Sequence, residues 1–138
     1  MKTDGGAPEA VFVYGTLRRG QPNHFLLADA YLLSDCAAAP GFRLYHLGAY
    51  PAAQPTGRET DTVRGEIYQV RDRDTLTRID ALEGFPDLYD RTETRVQDES
   101  GTVHVARIYF MRELPPHARA IAGGDWTRTS PAPPPDDR

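Results

Sequence analysis

Only one stretch of this chain carries the apolar spacing and the end signals of a full helix. It covers residues 72–82, and strand-like segments lie on both sides of it. Asp72 or Asp74 is placed to cap its start, and Gly84 stands just past its end. A repeated parallel crossover needs a helix between every pair of strands, so a single good helix argues against such a fold. Residues 10–14 form a run without alternation, as in a strand buried on both sides. Asn23 is expected to cap a short helix to about Ala30. Residues 41–47 alternate as a strand. The two prolines and glycine of 48–55 predict a shaped loop. Residues 62–70 form a further strand, where Gly65 suggests a bulge or tight bend. Residues 89–97 and 102–110 read as a hairpin around 98–101. The expected fold class is α+β: a compact, mixed, mainly antiparallel small β-barrel with one main helix and short flanking helices.

Composition narrows the function classes. Of 138 residues, 39% are hydrophobic and 26% charged, and the net charge is −4. That balance fits one soluble domain, and the lack of a basic stripe argues against nucleic acid as a partner. Residues 1–9 are polar and no apolar run approaches a membrane span, so no membrane partner and a cytoplasmic setting are expected. The sole cysteine, Cys36, permits no internal disulfide; ahead of three alanines, it is expected to be a small packed residue. The four histidines show no metal-ligand spacing, so no metal and no cofactor are expected. No serine lies in a nucleophile elbow. The domain is expected over 10–127, with a flexible start at 1–9 and a flexible proline-rich tail at 128–138. Trp126 is expected to anchor the end of the domain, and the protein to be a monomer or weak homodimer.

Two local features bear on chemistry. The first is Val13-Tyr14-Gly15-Thr16-Leu17, followed by Arg18 and Arg19. A strand that stops at glycine leaves backbone amides without ladder partners, and successive amides form a nest for a carboxylate or phosphate. The segment lacks the spacing of nucleotide-binding loops. A plain strand-to-loop turn is the alternative. The second feature is Glu83. Leu76, Ile79 and Glu83 share one stripe of the helix, with Arg78 and Asp80 away from it. Glu83 would then face the packed side, where desolvation and the helix C-terminus raise its pKa and suit it to proton transfer. The alternative is a frayed last turn with Glu83 in solvent.

Together the two blocks resemble the γ-glutamylcyclotransferase superfamily. Phe12 through His24 is similar to its opening motif, closest to the γ-glutamylamine cyclotransferase branch. Asp80 through Arg91 resembles its catalytic-glutamate segment, and Gly48-Ala49-Tyr50-Pro51 and Val63 through Tyr68 fall in order between them. The resemblance covers about 10–113, with Gly124-Asp125-Trp126 similar to the end of short bacterial members. It implies a barrel-like fold and a small-molecule γ-glutamyl substrate that closes on itself to 5-oxoproline, releasing an amine. It implies Glu83 as the catalytic base and acid. Substrate binding is implied at Gly15, Thr16 and Leu17, with Tyr14 and Tyr89 shaping the pocket or donating hydrogen bonds. Arg18 or Arg91 would matter to substrate charge if either faced the pocket. Other readings are a cyclotransferase for γ-glutamyl amino acids or for a γ-glutamyl-protected biosynthetic intermediate, and a non-catalytic binding module.

Overall fold

The structure is a computed structural model that describes residues 9–126. The expectations for 1–8 and for the proline-rich tail lie outside the described residues. The elements are β1 (Glu9–Val13), a 3-10 turn (His24–Leu27), β2 (Tyr31–Pro40), β3 (Phe42–His46), β4 (Pro51–Pro55), β5 (Thr62–Val70), α1 (Arg73–Glu83), β6 (Asp90–Gln97), β7 (Val103–Phe110) and β8 (Arg119–Ala120). Five strands close a barrel in the order β1-β5-β2-β6-β7, and β4-β3-β8 form a second small sheet. All pairings are antiparallel except the parallel β1–β7 seam, where Val11 pairs with Arg107. The α+β barrel expectation holds.

β1 does not alternate because it is clad on both faces. Phe12 and Tyr14 point into the barrel cluster with Val63, Ile67 and Ile108. Val11 and Val13 face a second cluster with Tyr68, Tyr109 and Ile79 of α1. The helix packs here through fully buried Ile79, with Leu76 at the cluster's edge. Its ends form as the sequence implies. The Asp72 carboxylate accepts from Thr75 N–H at 2.6 Å. Gly84 takes the left-handed conformation (φ 66°), and Phe85 N–H returns to Asp80 O at 3.0 Å.

Gly65 is required by contact rather than by backbone angle. A Cβ there would lie 2.2 Å from Val13 O. The register shifts occur instead opposite it, in β2, around Ser34.

Three local expectations are corrected, and one strand lies where the sequence offered no reading. Residues 31–40 form a barrel strand that lacks a strand-like pattern, because Tyr31, Leu32 and Leu33 stay exposed while small Ala37 and Ala39 fill the interior. Cys36 is exposed on this strand, not packed. Residues 51–55 form a strand, not a loop. β4 is an edge strand with prolines only at its ends, where losing an N–H is tolerated. The segment after Asn23 is a single 3-10 turn, and Asn23 makes no side-chain cap. Its amide instead donates to Thr16 Oγ1 at 3.0 Å. Trp126 does anchor the domain, packing on the barrel cluster and against His46 with ring centroids 5.3 Å apart. Among the described residues, no helix is long and apolar enough to cross a membrane.

Candidate active site

Where β1 ends, the chain turns through residues 14–20 over the rim of the barrel. Arg18 fastens this loop from below. It is buried, and its guanidinium bridges Glu66 at 3.2 Å and Asp125 at 2.9 Å. Glu66 also accepts from Arg19 N–H at 3.0 Å and from Tyr68 OH at 2.9 Å. Within the loop, Arg18 N–H donates to Gly15 O and Asn23 N–H to Thr16 O. The N–H groups of Gly15, Thr16 and Leu17 have no acceptor among the described residues. Gly15 has no Cβ because Pro51 lies against it: a Cβ would sit 2.7 Å from Pro51 Cγ.

These loop residues line one side of a cavity of about 230 Å³, and Glu83 lines another. Burial pushes the Glu83 carboxyl up to about 7, and the Asp80 carboxylate adds to the effect. Asp80, one turn earlier, goes the other way. Burial pushes it up, but hydrogen bonds from Arg91 and from Tyr109 OH, with the Arg91 and Arg107 charges, outweigh this and hold it below the ordinary range. Neighbouring carboxyls with opposed pKa shifts divide the roles: one stays a fixed charge while the other exchanges a proton near neutrality.

The two cavity tyrosines are braced rather than free. Tyr14 OH donates to Tyr109 O at 2.7 Å and accepts from Ala53 N–H at 3.0 Å. Tyr89 OH donates to Pro51 O at 2.7 Å. Burial raises both phenols well above their ordinary value, and Glu83 contributes to each. They are walls whose protons are committed to carbonyls.

The family model for γ-glutamyl cyclotransferase, AIG2-like, matches residues 11–128. The chain belongs to this family. A Vibrio cholerae relative, provisionally named a γ-glutamylcyclotransferase, is 41% identical over 116 residues, covering 84% of this chain and 93% of its own. The γ-L-glutamyl-butirosin B γ-glutamyl cyclotransferase of Niallia circulans is 39% identical over 105 residues, which are 72% of this chain and 64% of that protein. Among solved structures, an AIG2-like protein of Mus musculus superposes with a TM-score of 0.67 at 31% identity, covering 79% of this chain and 80% of its own.

The strand-end block at 12–17 and the segment around Glu83 thus meet at one cavity. Glu83, Tyr14, Gly15, Thr16, Leu17 and Tyr89 all line it. Arg18 and Arg91 do not. Arg18 is held by Glu66 and Asp125, and Arg91 pairs with Asp80 while lying 4.0 Å over the Phe85 ring. Neither supplies a cation to the site. Asp80, expected away from the packed side, is drawn into the Tyr109–Arg91 network. Sequence reasoning missed Asn23, Tyr50, Pro51, Leu82, Leu88 and Tyr109 as cavity residues. Asn23 resembled a helix cap. Leu82 and Leu88 bore a faint signal, as apolar residues flanking Glu83 that remain exposed at 39% and 51%. No group of histidine, cysteine and acidic residues among the described residues has metal-site geometry.

Proposed function

We propose that this protein cyclises the γ-glutamyl group of a γ-glutamylamine to 5-oxoproline and releases the free amine. The observation that carries the reading is Glu83: a half-buried carboxyl raised to about 7, with no hydrogen-bond partner among the described residues, lining the same cavity as Gly15, Thr16 and Leu17, whose N–H groups are unpaired. The amides of Gly15, Thr16 and Leu17 bind the substrate α-carboxylate, and Asn23 orients the Thr16 hydroxyl beside them. Tyr14 and Tyr89 shape the walls that fold the substrate toward itself. Glu83 takes a proton from the α-ammonium. The freed nitrogen attacks the γ-carbonyl carbon and forms the ring C–N bond. The C–N bond to the leaving amine breaks as Glu83 returns the proton to that nitrogen. The ring nitrogen gives up its second proton to the Glu83 carboxylate, which passes it to the released amine, so that 5-oxoproline and an ammonium ion leave. No water is consumed. Because nucleophile and carbonyl belong to one molecule, holding the near-attack shape supplies much of the acceleration.

Charge favours an amine over an amino acid as leaving group. Glu83 is the sole ionisable carboxyl of the cavity wall, and no lysine, arginine or histidine lines it. A carboxylate next to the scissile amide would meet Glu83 without a counter-charge. The Niallia circulans relative favours a second reading, in which the γ-glutamyl group protects a biosynthetic intermediate. Detection of 5-oxoproline, with kcat/KM compared for γ-glutamyl-ε-lysine, γ-glutamyl-α-alanine and glutathione, tests the proposal. The first should react fastest; preference for either of the others overturns the amine assignment.

A further inference from the structure

The Glu83 cavity adjoins a larger groove of about 700 Å³, and Tyr50 and Leu88 are walls of both. The groove lies between the segment after α1 and the residues that follow β7. If the α-carboxylate rests on the loop at 15–17 and the ring closes beside Glu83, the remaining substituent of the γ-carbonyl points away from the new ring, toward that shared wall.

The groove is unevenly charged. Asp87, Asp90 and Glu113 line it together with Arg112 and His117. Arg112 is committed to Asp90, with Nη2 2.6 Å from Oδ2. His117 Nε2 is occupied with Leu47 O at 3.0 Å. Asp87 and Glu113 are exposed and have no ion-pair partner among the described residues. Two carboxylates without counter-ions therefore face the space into which the leaving group extends.

We propose that this groove receives the leaving amine and selects one bearing a second, distal positive charge, as in a diamine or polyamine. The inference rests on the cyclotransferase reading and names the substrate class for it. Asp87 and Glu113 are the specificity-determining residues: they attract the distal ammonium and repel a distal carboxylate. Because both are exposed, the discrimination is modest, about tenfold in kcat/KM at low salt. It should shrink as salt screens the charges.

Matched pairs of substrates test this. The mono-γ-glutamyl amides of diaminopropane, diaminobutane and diaminopentane are compared with those of propylamine, butylamine and pentylamine, with 5-oxoproline as readout. The expected result is a diamine-to-monoamine ratio of about ten at one or more chain lengths. The ratio should fall toward one in an Asp87→Asn/Glu113→Gln variant that melts like the parent. The single variants, each lowering the ratio in part, serve if the double variant is unstable. A ratio of one at all three lengths overturns the inference, as does a ratio that the substitutions leave intact. Neutral amides that cyclise as fast as the diamines would sink this inference alone. Absence of 5-oxoproline from every γ-glutamyl compound would sink the cyclotransferase reading with it.

Discussion

Replacing Glu83 by Gln should abolish turnover and, at alkaline pH, stabilise the fold. Both effects follow from one property. The Glu83 carboxyl is moved from its ordinary 4.5 to about 7, chiefly by burial. Each pH unit of displacement is worth about 1.4 kcal/mol, so ionising this group costs the folded state about 3 kcal/mol. The unfolded chain gives up the proton near 4.5, while the folded protein holds it until about 7. Between those values the unfolded state binds fewer protons, so stability falls as pH rises and levels off above the folded pKa. About 2.5 kcal/mol of this loss falls between pH 5 and pH 8. Gln keeps the shape and does not titrate. Urea unfolding of parent and variant at both pH values isolates the effect, because other titrations are common to the two proteins. The parent should lose about 2.5 kcal/mol relative to Glu83→Gln over that range. Turnover should fall about 10²–10⁴-fold in the variant, as for loss of a positioned general base. In the parent, kcat/KM should rise with pH through an apparent pKa of about 7, because the base acts only when deprotonated. A stability difference that does not change with pH would refute the burial of Glu83, and a variant with parental turnover would remove it from the chemistry.

Three further substitutions probe the walls of the site. Gly15→Ala sets a Cβ 2.7 Å from Pro51 Cγ; overpacking of this kind costs about 1–3 kcal/mol. Because Pro51 is a cavity wall, KM for a γ-glutamylamine should rise more than kcat falls, and unchanged affinity would place the anion site elsewhere. Tyr14→Phe leaves Tyr109 O and Ala53 N–H without their buried partner, with an expected loss of about 1–3 kcal/mol in denaturant unfolding; a neutral result would show that the phenol is not a brace. Arg18→Met strands Glu66, though two other donors remain on it. A fall of about 3 kcal/mol in stability is expected, with raised KM from a loosened loop, and an unaltered melt would refute the anchoring role.

The features legible in the sequence were those set by local rules. Helix periodicity put Ile79 and Glu83 on one face whatever the helix packs against, and the Asp72 and Gly84 end signals are read within a turn. The β6–β7 hairpin follows from two alternating runs and a short turn, and the structure keeps its register from Asp90–Phe110 to Gln97–Val103. β2 was hidden because its two faces do not differ in the usual sense: its large apolar residues are outside and its alanines inside, as the narrow barrel interior requires. β4 was hidden because prolines at both ends imitate a loop.

The site shows the same limit from the other side. Glu83 was identifiable, but the device that separates its proton affinity from that of Asp80 was not. Periodicity sets Asp80 off the packed stripe, and on an isolated helix it would be solvated. Barrel closure brings Tyr109 and Arg107 of β7 and Arg91 of β6 up to that flank, and their hydrogen bonds and charges hold Asp80 ionised. Its fixed charge then reinforces burial in raising Glu83. Two carboxyls three residues apart thus acquire opposite tendencies from partners 11 and 29 residues away from Asp80 in sequence. Such an arrangement is invisible to any reading confined to a helix and its flanks. It makes the neutral-pH base of this chain a property of the closed barrel rather than of the motif that contains it.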